Sequence, residues 1–163
     1  MSAIDTGTKA PAFTWPAIDG KTYSLESALA DGPMLVAFFK VSCPTCQFTF
    51  PYLERIAKHF GRVWGVSQDN DRSTREFAKH YGVTFPLLLE DTDDYPTSDA
   101  YGLTHVPSIF LIAKTGEIIA SCVGWDKQEI VSMMTKLESL TGTRSAGFSL
   151  FRSGEDIPKF KSG

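Results

Sequence analysis

A marked excess of either positive or negative charge is lacking in this chain. Sixteen Lys and Arg against nineteen Asp and Glu leave a net charge of −3. So balanced a chain lacks the basic footprint that nucleic-acid phosphates require, and no nucleic-acid partner is expected. Long apolar runs are absent too. None approaches the roughly 20 residues that cross a bilayer, so membrane insertion is not expected. Cysteine is limited to three residues, an odd and small number that excludes a disulfide-stapled scaffold. Residues 1–13 show no basic stretch leading into an apolar one. A cytoplasmic location is therefore expected, although an exported protein stripped of its leader would read the same. Internal repeats and low-complexity tracts are missing as well.

What is present is an ordinary globular composition: 163 residues, 42% hydrophobic and 21% charged. That length supports one core, assigned to residues 1–143. Residues 144–163 return to Gly, Ser, Lys and Pro and read as a tail that is flexible in part. Phe148, Leu150, Phe151 and Phe160 are nevertheless many apolar groups for a linker. Part of the tail is expected to dock on the domain or on another subunit.

Residues 1–20 read as an irregular arm. Ser24 is placed to cap a short helix to about Ala30. Met34–Phe39 is a short, continuous apolar run, the pattern of a strand buried on both faces. Cys43 to Phe60 repeats Phe48, Tyr52, Leu53, Ile56 and Phe60 at helical spacing, and Gly61 ends it. A strand over 62–67, a helix over 72–81, a strand over 85–90 and a short helix over 96–101 follow. Strands over 107–113 and 117–123 flank Lys114-Thr115-Gly116, a hairpin signal. Asp126 caps a last helix to about Leu140. Early alternation and a late hairpin predict an α/β fold, a mixed sheet with helices on both faces.

The strongest chemical signal is Cys43-Pro44-Thr45-Cys46, between the apolar strand and the start of a helix. A thiolate at a helix N-terminus meets the positive end of the macrodipole and unpaired backbone N–H groups. Lowering a thiol from a pKa of about 8.5 to about 7 takes roughly 2 kcal/mol. A helix end supplies about 0.3 to 2 kcal/mol of that. Cys43, at the first position, is the expected nucleophile. Cys46, one turn further in, is the expected resolving thiol. The same spacing makes half of a zinc site, but zinc takes four ligands. Cys122 and the three histidines provide no second pair, so no metal is expected. Two inert structural cysteines are the other plain reading. A second signal, Val106-Pro107 before a strand, is either a strand boundary or a cis bond packed beside the cysteines.

Phe38 to Cys46, Phe50-Pro51 and Val106-Pro107 together resemble the thioredoxin superfamily. Ala10-Pro11-Ala12-Phe13, Asp19-Gly20-Lys21, Tyr101-Gly102 and Gly116-Glu117 are similar to its redoxin branch, which holds TlpA/ResA-like thiol-disulfide oxidoreductases and AhpC/TSA peroxiredoxins. The resemblance covers about residues 7–140. It implies a thioredoxin-like fold with an N-terminal extension and an inserted helix, a redox-active Cys43/Cys46 pair, and Val106 and Pro107 at the substrate. It implies no cofactor.

The sequence also departs from those patterns. Ala37 stands where thioredoxins carry a buried acid, Ser42 where they usually carry Trp, and Thr49 where TlpA/ResA-like proteins often carry Glu. Lys40 and His105 remain as helpers, each reading more simply as a solvated surface residue. The peroxiredoxin pattern Pro-x-x-x-Thr-x-x-Cys is not met. Lys40 and Val36 precede Cys43 at those spacings, and Cys43 and Phe39 precede Cys46. The leading expectation is a thiol-disulfide oxidoreductase acting on protein or small-molecule thiols and disulfides, as a monomer or weak homodimer. A peroxiredoxin-like thiol peroxidase is the runner-up. A non-catalytic module that binds peptides in the groove beside Pro107 is the third reading.

Overall fold

All six side chains of Met34–Phe39 are buried, and strand alternation explains how. Leu35, Ala37 and Phe39 enter one apolar cluster. Met34, Val36 and Phe38 enter another on the opposite face. The computed structural model describes residues 4–143 and 147–163. Its elements are β1 (Thr14–Pro16), β2 (Thr22–Ser24), α1 (Leu25–Ala30), β3 (Met34–Phe39), α2 (Pro44–Phe60), β4 (Val63–Ser67) and α3 (Asp71–Tyr81). They continue with β5 (Leu87–Leu89), α4 (Pro96–Ala100), β6 (Ser108–Ile112), β7 (Ile118–Val123), β8 (Trp125–Asp126), α5 (Lys127–Thr141) and β9 (Phe160–Lys161).

The central sheet has the order β5-β4-β3-β6-β7. β3, β4 and β5 run parallel, while β6 is antiparallel to both β3 and β7. One face is covered by α2, α3 and α5 through Phe50, Leu53, Ile56, Phe77, Ile130, Met133 and Leu137. The other is covered by Leu25 and Leu29 of α1, Tyr101 after α4, and Ala10, Phe13 and Ala17 of the N-terminal segment. This is the mixed sheet with helices on both faces that the sequence predicts. Burying each large apolar side chain contributes about 1.5–3 kcal/mol, so β3, packed on both sides, anchors both layers.

Local signals place the helix ends. Ser24, Asn70 and Asp126 accept hydrogen bonds from the N–H groups of Ser27, Ser73 and Glu129. Gly61 closes α2 at a left-handed φ of 71° and returns its N–H to Ala57 O.

Two readings need correction. Residues 1–20 are not wholly irregular, because Thr14, Trp15 and Pro16 pair with Ser24, Tyr23 and Thr22. The turn is set by Gly20 N–H on Ala17 O at 3.0 Å and Lys21 N–H on Asp19 Oδ1 at 2.9 Å. The strand expected over 85–90 narrows to Leu87–Leu89. Phe85 N–H instead donates to the carboxylate of Glu54, which also holds Thr84.

The tail crosses the α2–α5 side. Leu150 is 4% exposed and belongs to that cluster. Phe148 stacks on His59, and Phe151 packs edge-on against Tyr52 and Trp125. Arg55 grips both carboxylate oxygens of Glu155 at 2.8 and 2.6 Å. Trp125 Nε1 donates to Pro158 O at 2.8 Å. β9 then pairs antiparallel with β8, and Phe160 stays 62% exposed.

β4 depends on a missing side chain. A Cβ on Gly65 would lie 2.6 Å from Leu87 Cδ2 and 3.1 Å from the Phe39 and Phe50 rings. Gly65→Ala is expected to cost about 1–3 kcal/mol of stability by overpacking, read as a lower denaturant midpoint. An unchanged midpoint would mean that Leu87 gives way freely.

Candidate active site

The chain leaves β3 through a short loop and enters α2 with Cys43 as its cap. Cys43 has extended dihedrals, φ −81° and ψ 116°, and its sulfur accepts the N–H of Cys46 at 3.1 Å. Pro44 at the first helical position has no N–H to satisfy. The loop is fixed from both sides. Val41 N–H donates to Asp69 Oδ2 at 2.8 Å, and Gln47 Nε2 donates to Val41 O at 2.9 Å.

This geometry separates the two thiols. Cys43 is half-buried, whereas Cys46 is fully buried in the apolar cluster. Both are free thiols. The Cys43 thiol donates to Val106 O at 3.4 Å, across 63 residues of sequence. The Val106–Pro107 bond is cis. Pro107 O accepts Gly124 N–H at 2.8 Å, and Ser108 Oγ donates to His105 O at 2.7 Å. The turn therefore stands beside the Cys43 sulfur, as expected.

Burial pushes the Cys46 thiol far above the ordinary thiol range, and a hydrogen bond to Cys43 raises it further. Burial raises Cys122 to about 12. Cys122 faces Ile109 across the β6–β7 ladder and its thiol reaches Gly124 O at 3.5 Å.

No carboxylate stands at the positions where related patterns place one. Ala37 is fully buried in the cluster that holds Cys46, and Thr49 Oγ1 donates to Thr45 O at 2.7 Å. The buried Glu54 and Glu90 are engaged elsewhere, with Thr84 and Phe85 and with Ser98. Lys40 and His105 are both exposed and line a cleft of about 260 Å³ with Gln68, Leu103, Thr104 and Val106. Among the described residues no group of three or more His, Cys, Asp or Glu side chains is placed to hold a metal ion. Nor is any helix among them long and apolar enough to cross a membrane.

Sequence reasoning missed three neighbours of the cysteines. Thr45 Oγ1 donates to Ser162 O at 2.5 Å. Gly124 approaches the backbone of residues 161–163 closely. Gly163 lies against the Val106 turn. The tail's apolar residues signalled docking, but no local pattern says where the strand after them lands.

A mixed sheet, a dithiol at a helix start and a cis-proline turn beside it define a thioredoxin-like redox protein. Residues 6–121 match the model of the AhpC/TSA family, and the chain belongs to that family. It is 30% identical over 128 residues to the thiol-disulfide oxidoreductase ResA of Bacillus subtilis (strain 168), an alignment that covers 75% of this chain and 69% of that one. The thioredoxin domain of a thiol-disulfide oxidoreductase from Bacteroides vulgatus matches with a TM-score of 0.73 at 23% identity, over 84% of this chain and 98% of that one. The peroxidoxin BcpB of Mycobacterium tuberculosis shares the fold, with a TM-score of 0.68 at 21% identity, over 85% and 98%. Among these relatives the chain stands with the thiol-disulfide oxidoreductases, and it is an oxidoreductase.

The buried thiols make stability sensitive to alkali. The folded chain holds the Cys122 proton more tightly than the unfolded chain, whose thiol has a pKa of about 8.5. That contribution is complete below about pH 8.5 and is lost as pH rises toward the folded value. The denaturation midpoint of the parent should thus fall more steeply between pH 8.5 and 10 than that of Cys122→Ala. Parallel profiles would show that the thiol is not held as buried.

Proposed function

We propose that the protein exchanges a Cys43/Cys46 dithiol for a disulfide in a protein or small-molecule partner. The Cys43 thiolate attacks one sulfur of the partner disulfide. A Cys43–partner bond forms, the partner's S–S bond breaks, and its second sulfur leaves as a thiolate that takes up a proton. Cys46 then loses its proton and attacks the Cys43 sulfur, closing the Cys43–Cys46 disulfide and releasing the partner's first sulfur as a thiol. Two electrons pass from the dithiol to the partner, and the reverse sequence oxidises a partner dithiol. Val106 presents backbone to an extended substrate, and the Pro107 ring closes the side of the site without an N–H donor.

The observation that carries this reading is the asymmetry of the pair. The Cys43 sulfur is half-buried and caps the N-terminus of α2, where it accepts the Cys46 N–H. Cys46 is shielded and holds its proton until a mixed disulfide is in place. A peroxidase reading has less support, because exposed Lys40 occupies the place at which a peroxide-positioning Thr would stand.

Cys46→Ser is expected to accumulate a mixed disulfide with a protein disulfide substrate, seen as a band shift on non-reducing gels. Cys43→Ser should accumulate none. Trapping through Cys46 in the Cys43→Ser chain would reverse the roles.

Cys122 takes no part in this cycle, being packed as a small apolar group in β7. Cys122→Ala should keep insulin-reduction turnover within about twofold of the parent, the scatter expected of a substitution away from the reacting atoms. A folded variant that loses most of its turnover would make Cys122 a third redox thiol.

A further inference from the structure

Residues 160–163 lie across the mouth of the proposed site, the first two of them as strand β9. Lys161 pairs with Trp125 and Phe160 with Asp126. Beyond that pairing, Ser162 O takes the hydroxyl hydrogen bond of Thr45, one of the two residues between the cysteines. Gly163 packs on Val106 so closely that a Cβ there would lie 2.6 Å from Val106 O, the atom to which the Cys43 thiol donates. From the other side, a Cβ on Gly124 would lie 2.5 Å from Lys161 O and 3.0 Å from Gly163 N. The seat is thus walled by Thr45, Gly124 and Val106, and it is contacted mainly through backbone.

Two features make this occupant displaceable. Its own hold is slight: a two-residue strand, one Thr45 hydrogen bond, a Lys161 ammonium 5.3 Å from the Phe48 ring centroid and a Phe160 side chain left 62% exposed. Its tether is strong: Leu150 in the core, Arg55 on Glu155 and Trp125 on Pro158. Residues 160–163 can leave the groove while the preceding segment keeps them close, at a high effective concentration.

We infer that residues 160–163 fill the seat of the substrate strand, and that the partner is an extended polypeptide segment that displaces them, with a small residue where Gly163 now packs. This rests on the exchange chemistry proposed above. A strand added beside β8 takes up the backbone groups that β9 releases, which is strand addition to a sheet edge. The occupied groove lowers apparent affinity by the fraction of molecules whose tail is out.

The test uses the full chain carrying Cys46→Ser, alone and with either of two tail changes. Lys161→Pro removes a ladder donor opposite Trp125, and Gly163→Val adds a Cβ against Val106 O. Neither residue belongs to the reacting pair. One probe is an unstructured Gly/Ser peptide with a central cysteine joined to thionitrobenzoate. The other is the symmetrical thionitrobenzoate disulfide, without peptide. In each case the Cys43 sulfur bonds to the probe and thionitrobenzoate leaves, giving a colour change. Both tail changes are expected to raise the peptide rate about tenfold, the effect of losing one or two net hydrogen bonds. The small disulfide should respond far less. Equal peptide rates in parent and tail variants, with mixed disulfide still forming, would overturn the displacement and leave the exchange chemistry intact. A tenfold gain with both probes would overturn the substrate-strand assignment in favour of a plain cover. No mixed disulfide with either probe in any chain would remove the proposed function and this inference with it.

Discussion

The site turns on a helix cap made by sulfur. Cys43 accepts the N–H of Cys46 where Ser, Asp or Asn more often caps a helix. That bond fixes the Cys43 sulfur at the N-terminus of α2, with the second thiol one turn inside. It holds only because β3 delivers the chain at that point. β3 is buried on both faces, so its end cannot shift without disturbing both layers of the fold. The rigidity of the core and the position of the reacting atom are one constraint.

Around that cap, burial divides the labour. Cys46 lies among apolar side chains with no carboxylate engaged with it, since Ala37 and Thr49 occupy the expected positions. Among the described residues its hydrogen bond goes to the Cys43 sulfur and not to a carboxylate. Exposed Lys40 and His105 line the neighbouring cleft, where solvent can reach. Among the described residues no buried side-chain nitrogen or oxygen lacks a hydrogen-bond partner. Glu54 secures the chain before β5, and Glu90 secures the start of α4.

The segment after α5 gives the site its other wall. Its contacts fall into a firm part, from Leu150 to Pro158, and a light part, from Phe160 to Gly163. The firm part extends the core over α2. The light part meets Thr45 and the Val106 turn through backbone atoms, the groups an extended peptide would also offer, and its one side-chain contact with the cysteine helix is the Lys161 ammonium over Phe48. A strand edge that would otherwise be open at β8 is thereby covered.

The amino-acid sequence alone determined the order of the five central strands and the helices between them, the two-faced burial of Met34–Phe39, the caps at Ser24, Asp126 and Gly61, and the dithiol at a helix start. Periodicity, capping and turn chemistry are written within a few residues of where they act. Even the hairpin missed among residues 14–24 was announced by its Asp19-Gly20 turn. Tertiary structure alone decided which carbonyl meets the Cys43 thiol, 63 residues away, and which backbone meets Thr45, 117 residues away. Those partners share no local pattern. They are neighbours because β6 lies beside β3 in the sheet and because Leu150 and Trp125 steer the tail across α2. Packing of the whole core sets such distances, and no short stretch of sequence contains it.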